Sequence, residues 1–213
     1  MPIIIPASDT FPIEELEIYV LPMARTAPID AVTHCVRLAA IDFCRKSLIW
    51  KQTLPTFDTV ADQQAYALDK PNDADIYRIE RAMLGEIDLR MVSLGQALYD
   101  TVMGSAWLDG NGDLNITPAP TEAGVTVTVE ASLVPTIGAT TLPVVLREFG
   151  EAIGFGAVAR LLKTPGVDWT DAGLSAVNQG LFDDAIRSTK LRVSRGFSRA
   201  PIRSRRDPRS KFF

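Results

Sequence analysis

One histidine, two cysteines and no apolar run of bilayer length are what this 213-residue chain has least of, and each scarcity removes a class of function. A spanning helix needs roughly 20 apolar residues, and even the opening MPIIIP is interrupted by proline on both sides. The chain is therefore read as having no membrane partner. The MPIII start lacks the basic region and long apolar core of a signal peptide, so synthesis and retention in a cytosol-like compartment are expected. Cys35 and Cys44 fall nine apart in one expected helix, out of phase with its turn, which argues against a disulfide between them. His34 and Cys35 point about 100° apart on that helix, so they do not form a nucleophile and base pair. Without a His/Cys cluster there is no expected zinc site.

Other chemistry fails on spacing. DGNGDLN places Asp109, Asn111 and Asp113 like the first three ligands of a calcium loop, but Leu114 and Pro120 stand where such a loop needs Gly and a bidentate Glu. A hairpin turn is the better reading. Gly154-Phe155-Gly156 lacks the preceding strand and third glycine of a dinucleotide loop, and no GxxxxGK[ST] occurs. Glu148, Glu151, Asp183 and Asp184 invite comparison with a glycosidase acid and base, yet acids are abundant on helix surfaces without any such role. No catalytic residue, cofactor or metal ligand is therefore assigned, and the chain is expected not to be an enzyme. A cell-wall hydrolase remains the least favoured alternative.

What is present begins with an apolar fraction of 46%, enough for one sizeable core. The net charge of −4 hides a division. Residues 187–213 hold ten Lys and Arg against Asp207 alone, a net +9, while the other 12 basic and 25 acidic residues leave 1–186 at −13. Such segregation directs the tail to something acidic, whether nucleic acid, another protein or the body of an identical neighbour.

Along the chain, a short apolar arm precedes Pro12. The pattern Ile13, Leu16, Val20 predicts one short helix that Pro22 stops. A longer helix is predicted from Pro28 to Ser47, with Ile29, Val32, Val36, Ala39 and Phe43 on one face. Short extended runs follow, then a short helix capped by Ser93 and carrying Leu94, Ala97 and Leu98, then a hairpin over AWL, DGNGD and LNIT. The alternation of Val125, Val127, Val129, Ala131 and Leu133 with polar residues marks a half-buried strand.

Phe149 to Gly196 reads as two helices joined at Pro165-Gly166. Leu146, Gly150, Ile153, Ala157 and Leu161 share one face of the first, and Gly150 and Gly154, one turn apart, let a partner backbone approach closely. Gly150, Gly154 and Ala157 are thus candidates for helix packing or subunit contact. In the second helix Leu174, Val177, Leu181 and Ala185 form the expected apolar stripe, with Asp168 or Thr170 as its cap.

The fold class expected is α+β. N- and C-terminal helices (1–47 and 142–196) form a helical bundle, a β-rich region (48–141) projects from it, and a basic arm (197–213) extends beyond. That arm interleaves Arg199, Arg203, Arg205, Arg206 and Arg209 with Phe197, Ile202, Phe212 and Phe213, and Arg195 stands at its root. Arginine suits bidentate pairing and the aromatic residues suit pockets, so an arm that orders on a partner is favoured, with nucleic-acid contact as the alternative.

The order AAIDFCRKSLIW, a Tyr-x-Leu before a proline turn, the hairpin, the alternating strand ending at Pro135, Leu142-Pro143, GAVARLLKTPGVDWTD and LFDDAIRSTKLRVSRG resembles the phage head-to-tail adaptor proteins of short-tailed and related viruses. The block from Gly156 to Trp169 is the most specific part. The resemblance implies a virion protein made in the host cytoplasm and assembled as a twelve-subunit ring below the portal protein. It also implies a C-terminal arm on the portal, a tail or nozzle protein beyond the ring, and DNA only as cargo in transit. The length and basicity of the arm depart from some members.

Overall fold

The computed structural model describes residues 9–93 and 104–196. The N-terminal apolar arm, the helix expected after Ser93 and the basic arm from Phe197 onward lie outside the described residues.

The chain enters through strand β1 (Thr10–Pro12) and a 3-10 helix, η1 (Ile13–Tyr19), before α1 (Ile29–Ser47). Prolines at 12, 22 and 28 break this stretch into short pieces, so the short helix predicted here tightens to 3-10 geometry. In α1, Val32, Val36, Ala39 and Phe43 are fully buried, as their spacing predicts, whereas Ile29 at the first turn is 51% exposed. Leu48 ends the helix in the left-handed conformation, its N–H donating to the Cys44 carbonyl.

Strands β2 (Lys51–Thr53), β3 (Phe57–Asp58), β4 (Ala65–Tyr66), β5 (Ala74–Leu84), β6 (Ile87–Met91), β7 (Ser105–Leu108), β8 (Leu114–Thr117) and β9 (Thr126–Pro135) make an eight-stranded sheet. Its order is β2-β9-β5-β6-β7-β8-β4, with β3 also on β9. All pairs are antiparallel except β6 with β7. The alternation expected of β9 holds from Thr126 to Ala131, with Val127, Val129 and Ala131 buried, but from Ala131 to Pro135 every residue is buried, Ser132 included. The expected hairpin forms between β7 and β8, where Asp109 accepts hydrogen bonds from the N–H groups of Asn111 (2.8 Å) and Asp113 (3.0 Å).

The return passes through β10 (Thr141–Pro143), which pairs with β1, and a second 3-10 helix, η2 (Val144–Phe149). Asp73 secures this segment by accepting from the N–H and hydroxyl groups of Thr140 and Thr141. Burial works against its charge, but these hydrogen bonds outweigh burial and hold the carboxyl below its usual range. Then come α2 (Gly150–Leu162) and α3 (Ala172–Ser194). The cap of α3 is Asp171, whose side chain accepts from the Leu174 N–H at 2.9 Å. Thr170 instead closes the loop by donating to the Val167 carbonyl, and Asp168 does not cap.

The expected bundle of N- and C-terminal helices carrying a projecting β region does not form. The chain is α+β, but strand-rich, and the eight-stranded sheet is its largest element. Among the described residues the N-terminal stretch supplies one α-helix, and α1 is covered by α2 on one side and by β9 on another. One apolar core runs from Phe11 and Phe43 through Val129 and Leu133 to Phe182 and Ile186. The inward side chains of β9 need cover as much as the helices do, and the same contacts satisfy both.

Candidate functional site

The described residues gather no constellation of reactive groups. Among the described residues, no three His, Cys, Asp or Glu side chains approach closely enough to hold a metal. Glu148 pairs with Arg192 at 2.5 Å, Asp184 with Arg187 at 2.6 Å, and Asp183 accepts from Gln179 at 3.0 Å. Three of the four suggested acids are thus bound to separate surface partners, and Glu151 is exposed at the start of α2. His34 is exposed while Cys35 is half-buried, and burial raises that thiol despite the opposing charge of Arg160. No described helix is long and apolar enough to cross a membrane.

The features that stand out are surfaces, and α2 organises them. A Cβ placed on Gly154 would lie 2.5 Å from the Tyr19 Cβ, and one on Gly150 would lie 2.8 Å from the Tyr19 ring and 2.9 Å from Leu16. Ala157 is fully buried on the same helix. The close approach that Gly150 and Gly154 permit is therefore made by η1 of the same chain. On Gly156 a Cβ would meet the Phe182 ring of α3 at 2.7 Å. Two residues of helix turn by about 200°, so η1 and α3 flank α2 on nearly opposite sides.

The outer side of α3 differs from what its sequence suggests. Its fully covered face consists of Ser175, Asn178, Phe182, Ile186 and Thr189; of the expected stripe, Leu174 and Ala185 are half-buried against the core, whereas Val177 is 61% and Leu181 45% exposed. The covered face is rotated by about 100°, one residue, from the stripe that periodicity selects. Phe182 decides this, because it alone fills the notch at Gly156 and stacks toward Phe43 with ring centroids 6.1 Å apart. Polar Ser175 is accommodated by donating to the Ala159 carbonyl at 2.7 Å. At the end of α3, Arg195 is exposed, its N–H bonded to the Leu191 carbonyl. The remaining arm residues, Phe197, Arg199, Ile202, Arg203, Arg205, Arg206, Arg209, Phe212 and Phe213, lie outside the described residues.

Tyr19 and the outward glycines of α3 were not among the residues that the sequence singles out. Tyr19 had no periodic partner to mark it. Gly173 and Gly180 lie seven apart on the expected helix, a visible signal that acquires meaning only when the covered face is known.

Comparison with curated proteins found no significant match. A model of one protein family, described as SU10 adaptor protein, matches residues 14–205, which takes in the helices, the sheet and the root of the basic arm. The chain accordingly belongs to the SU10 adaptor protein family and is a phage adaptor, a structural protein of the virion.

Proposed function

We propose that this chain is a head-to-tail adaptor that assembles as a ring of twelve copies between the portal and the next tail or nozzle protein. The basic arm beginning at Arg195 docks on the portal. The acidic body lines a channel through which DNA passes as cargo. The observation that carries this reading is the separation of charge in a member of an adaptor family: +9 over residues 187–213 and −13 over residues 1–186. An acidic wall repels phosphate and lets DNA slide without adhering, while a basic arm rich in Arg, Phe and Pro suits a protein surface with carboxylates and apolar pockets.

Light scattering of the protein alone and mixed with its portal tests the assembly. A ring in either sample is expected, and a persistent monomer in both would refute the reading. Deleting residues 197–213 should abolish portal binding while leaving the circular dichroism unchanged. The ten basic residues of the tail also support nucleic-acid binding as a second reading. That reading predicts DNA affinity that falls steeply with salt and disappears with the same deletion, whereas the connector predicts little DNA affinity in either form.

A further inference from the structure

Two apolar surfaces of the helical layer lack a partner within the described chain, and they lie on its opposite edges. On one edge, Ile18 is 68%, Tyr19 44%, Leu21 38% and Met23 47% exposed, in and just after η1. On the other edge, the pole of α3 that faces directly away from the core carries Gly173, Val177, Gly180 and Leu191, with Leu181 beside them. The outward pole of a surface helix is ordinarily its most charged part. Here the only charged residues before Arg195 are Asp184 and Arg187, and they offset one another as a pair.

The two edges complement one another in shape and in charge. A Cβ on Gly180 would find nothing within 4 Å among the described residues, so these give no packing reason for a glycine there, although glycine weakens an exposed helix. Bulky side chains project from the η1 edge, and inside the chain Tyr19 already shows how one of them seats on glycines of a helix. Within the chain Glu15 pairs with Arg147, Arg187 with Asp184 and Arg192 with Glu148, which leaves Asp9, Glu14, Glu17 and Asp30 against Arg25 in residues 9–30 and Lys190 and Arg195 in residues 187–196. Pairing either edge with itself would oppose like charges. Pairing one with the other opposes unlike charges.

We infer that the outer face of α3 packs on the η1 edge of a second copy of this chain, with Val177 and Leu181 against Ile18 and Met23. The basic end of α3 then lies toward Glu14 and Asp30. This rests on the ring reading above and names the two faces through which the ring is built. The contact is heterologous: every copy offers both edges, and successive copies continue until rotation closes the circle.

The test uses two full-length double variants, Val177→Asp with Leu181→Asp and Ile18→Asp with Met23→Asp. All four side chains are exposed, so circular dichroism and the melting temperature should match the unaltered protein. Assembly is followed by analytical ultracentrifugation, with portal present as the template if the protein alone does not assemble. Each variant alone should assemble at least tenfold more weakly. Their mixture should give a 1:1 dimer and stop there, because one intact α3 face meets one intact η1 edge and both outer ends are blocked. Normal assembly by either variant, or a mixture that stays monomeric, would overturn the pairing while leaving the ring reading intact. An unaltered protein that is monomeric even with portal would remove both. A lower melting temperature of the α3 variant with assembly unchanged would mean that residues 1–8 or 197–213 of the same chain cover this face, which also overturns the inference.

Discussion

The two helices of the C-terminal hairpin make similar promises in sequence and keep them differently. In α2, both glycine notches are filled from within the chain, Gly150 and Gly154 by η1 and Gly156 by Phe182. In α3, one side seats Phe182 and Ile186 in the core while the opposite pole leaves Gly180 open and Val177 exposed. Glycine in a helix therefore has two uses here. In α2 it makes room for the chain's own side chains, so its removal should damage the fold. In α3 it leaves room that none of the described residues fills, so its removal should help the isolated fold.

The largest effect that separates the two uses is expected at Phe182. Phe182→Ala empties the Gly156 notch and removes the ring that packs near Phe43, and it should cost about 3–5 kcal/mol in urea unfolding. Next is Gly154→Ala. The added methyl meets the Tyr19 Cβ, which cannot swing aside without moving the η1 backbone, so a loss of about 1–3 kcal/mol is expected by the same measurement. A Gly154→Ala protein of unaltered stability would mean that η1 is loosely held, and the contrast between the helices would lose one of its sides.

Much of this arrangement was legible from periodicity, but only where one face is covered by the segment's neighbours in a single way. The stripe Leu146, Gly150, Ile153, Ala157 and Leu161 is buried as its spacing requires, and β9 alternates as far as Ala131 before it becomes buried on both faces. The spacing in α3 identifies Leu174, Val177, Leu181 and Ala185 as apolar, yet a helix with two apolar sides does not reveal which side its own chain will cover. Phe182 settles that through a long-range contact with α2 and α1. The expected bundle failed for a related reason. Helical stripes at the two termini say that cover is needed, not that the sheet will provide part of it through β9. The pairing of β1 with β10 and the parallel contact of β6 with β7 are also long-range and leave no local mark.

Gly180→Ala carries the comparison to the other helix, with the opposite sign. The new methyl touches none of the described residues, and alanine is the better helix former, so the isolated protein should gain up to about 1 kcal/mol in urea unfolding. If the outward notch receives a neighbour, the same variant should assemble less well in sedimentation experiments. A change that raises stability and lowers assembly is hard to obtain from a helix whose outer side is merely solvated. Loss of stability would place something from this chain against Gly180 and erase the distinction from Gly154.

The smallest effect lies in the sheet and serves as a check on the others. Glu80 is held by a bidentate pair with Arg78 (both 2.8 Å), by Ser132 and by Lys51 at 3.5 Å. The bonds from Arg78 are the main cause of a carboxyl pushed down to about 2, with Ser132 and Lys51 adding to them against burial. A carboxyl lowered from an ordinary 4.5 contributes stability that is fully present above about pH 4.5 and is lost as pH falls toward 2. Because Arg78 and Lys51 are about half exposed, the contribution is about 1 kcal/mol. Glu80→Gln should remove this part of the acid limb in pH-dependent unfolding. All of these partners belong to the sheet, so the limb should keep its depth in Phe182→Ala and in Gly180→Ala, as distant sites add independently. If either helix variant changes that depth, the helical layer and the sheet do not respond separately. The opposite signs at Gly154 and Gly180 would then report a shift of the whole fold rather than two different neighbours.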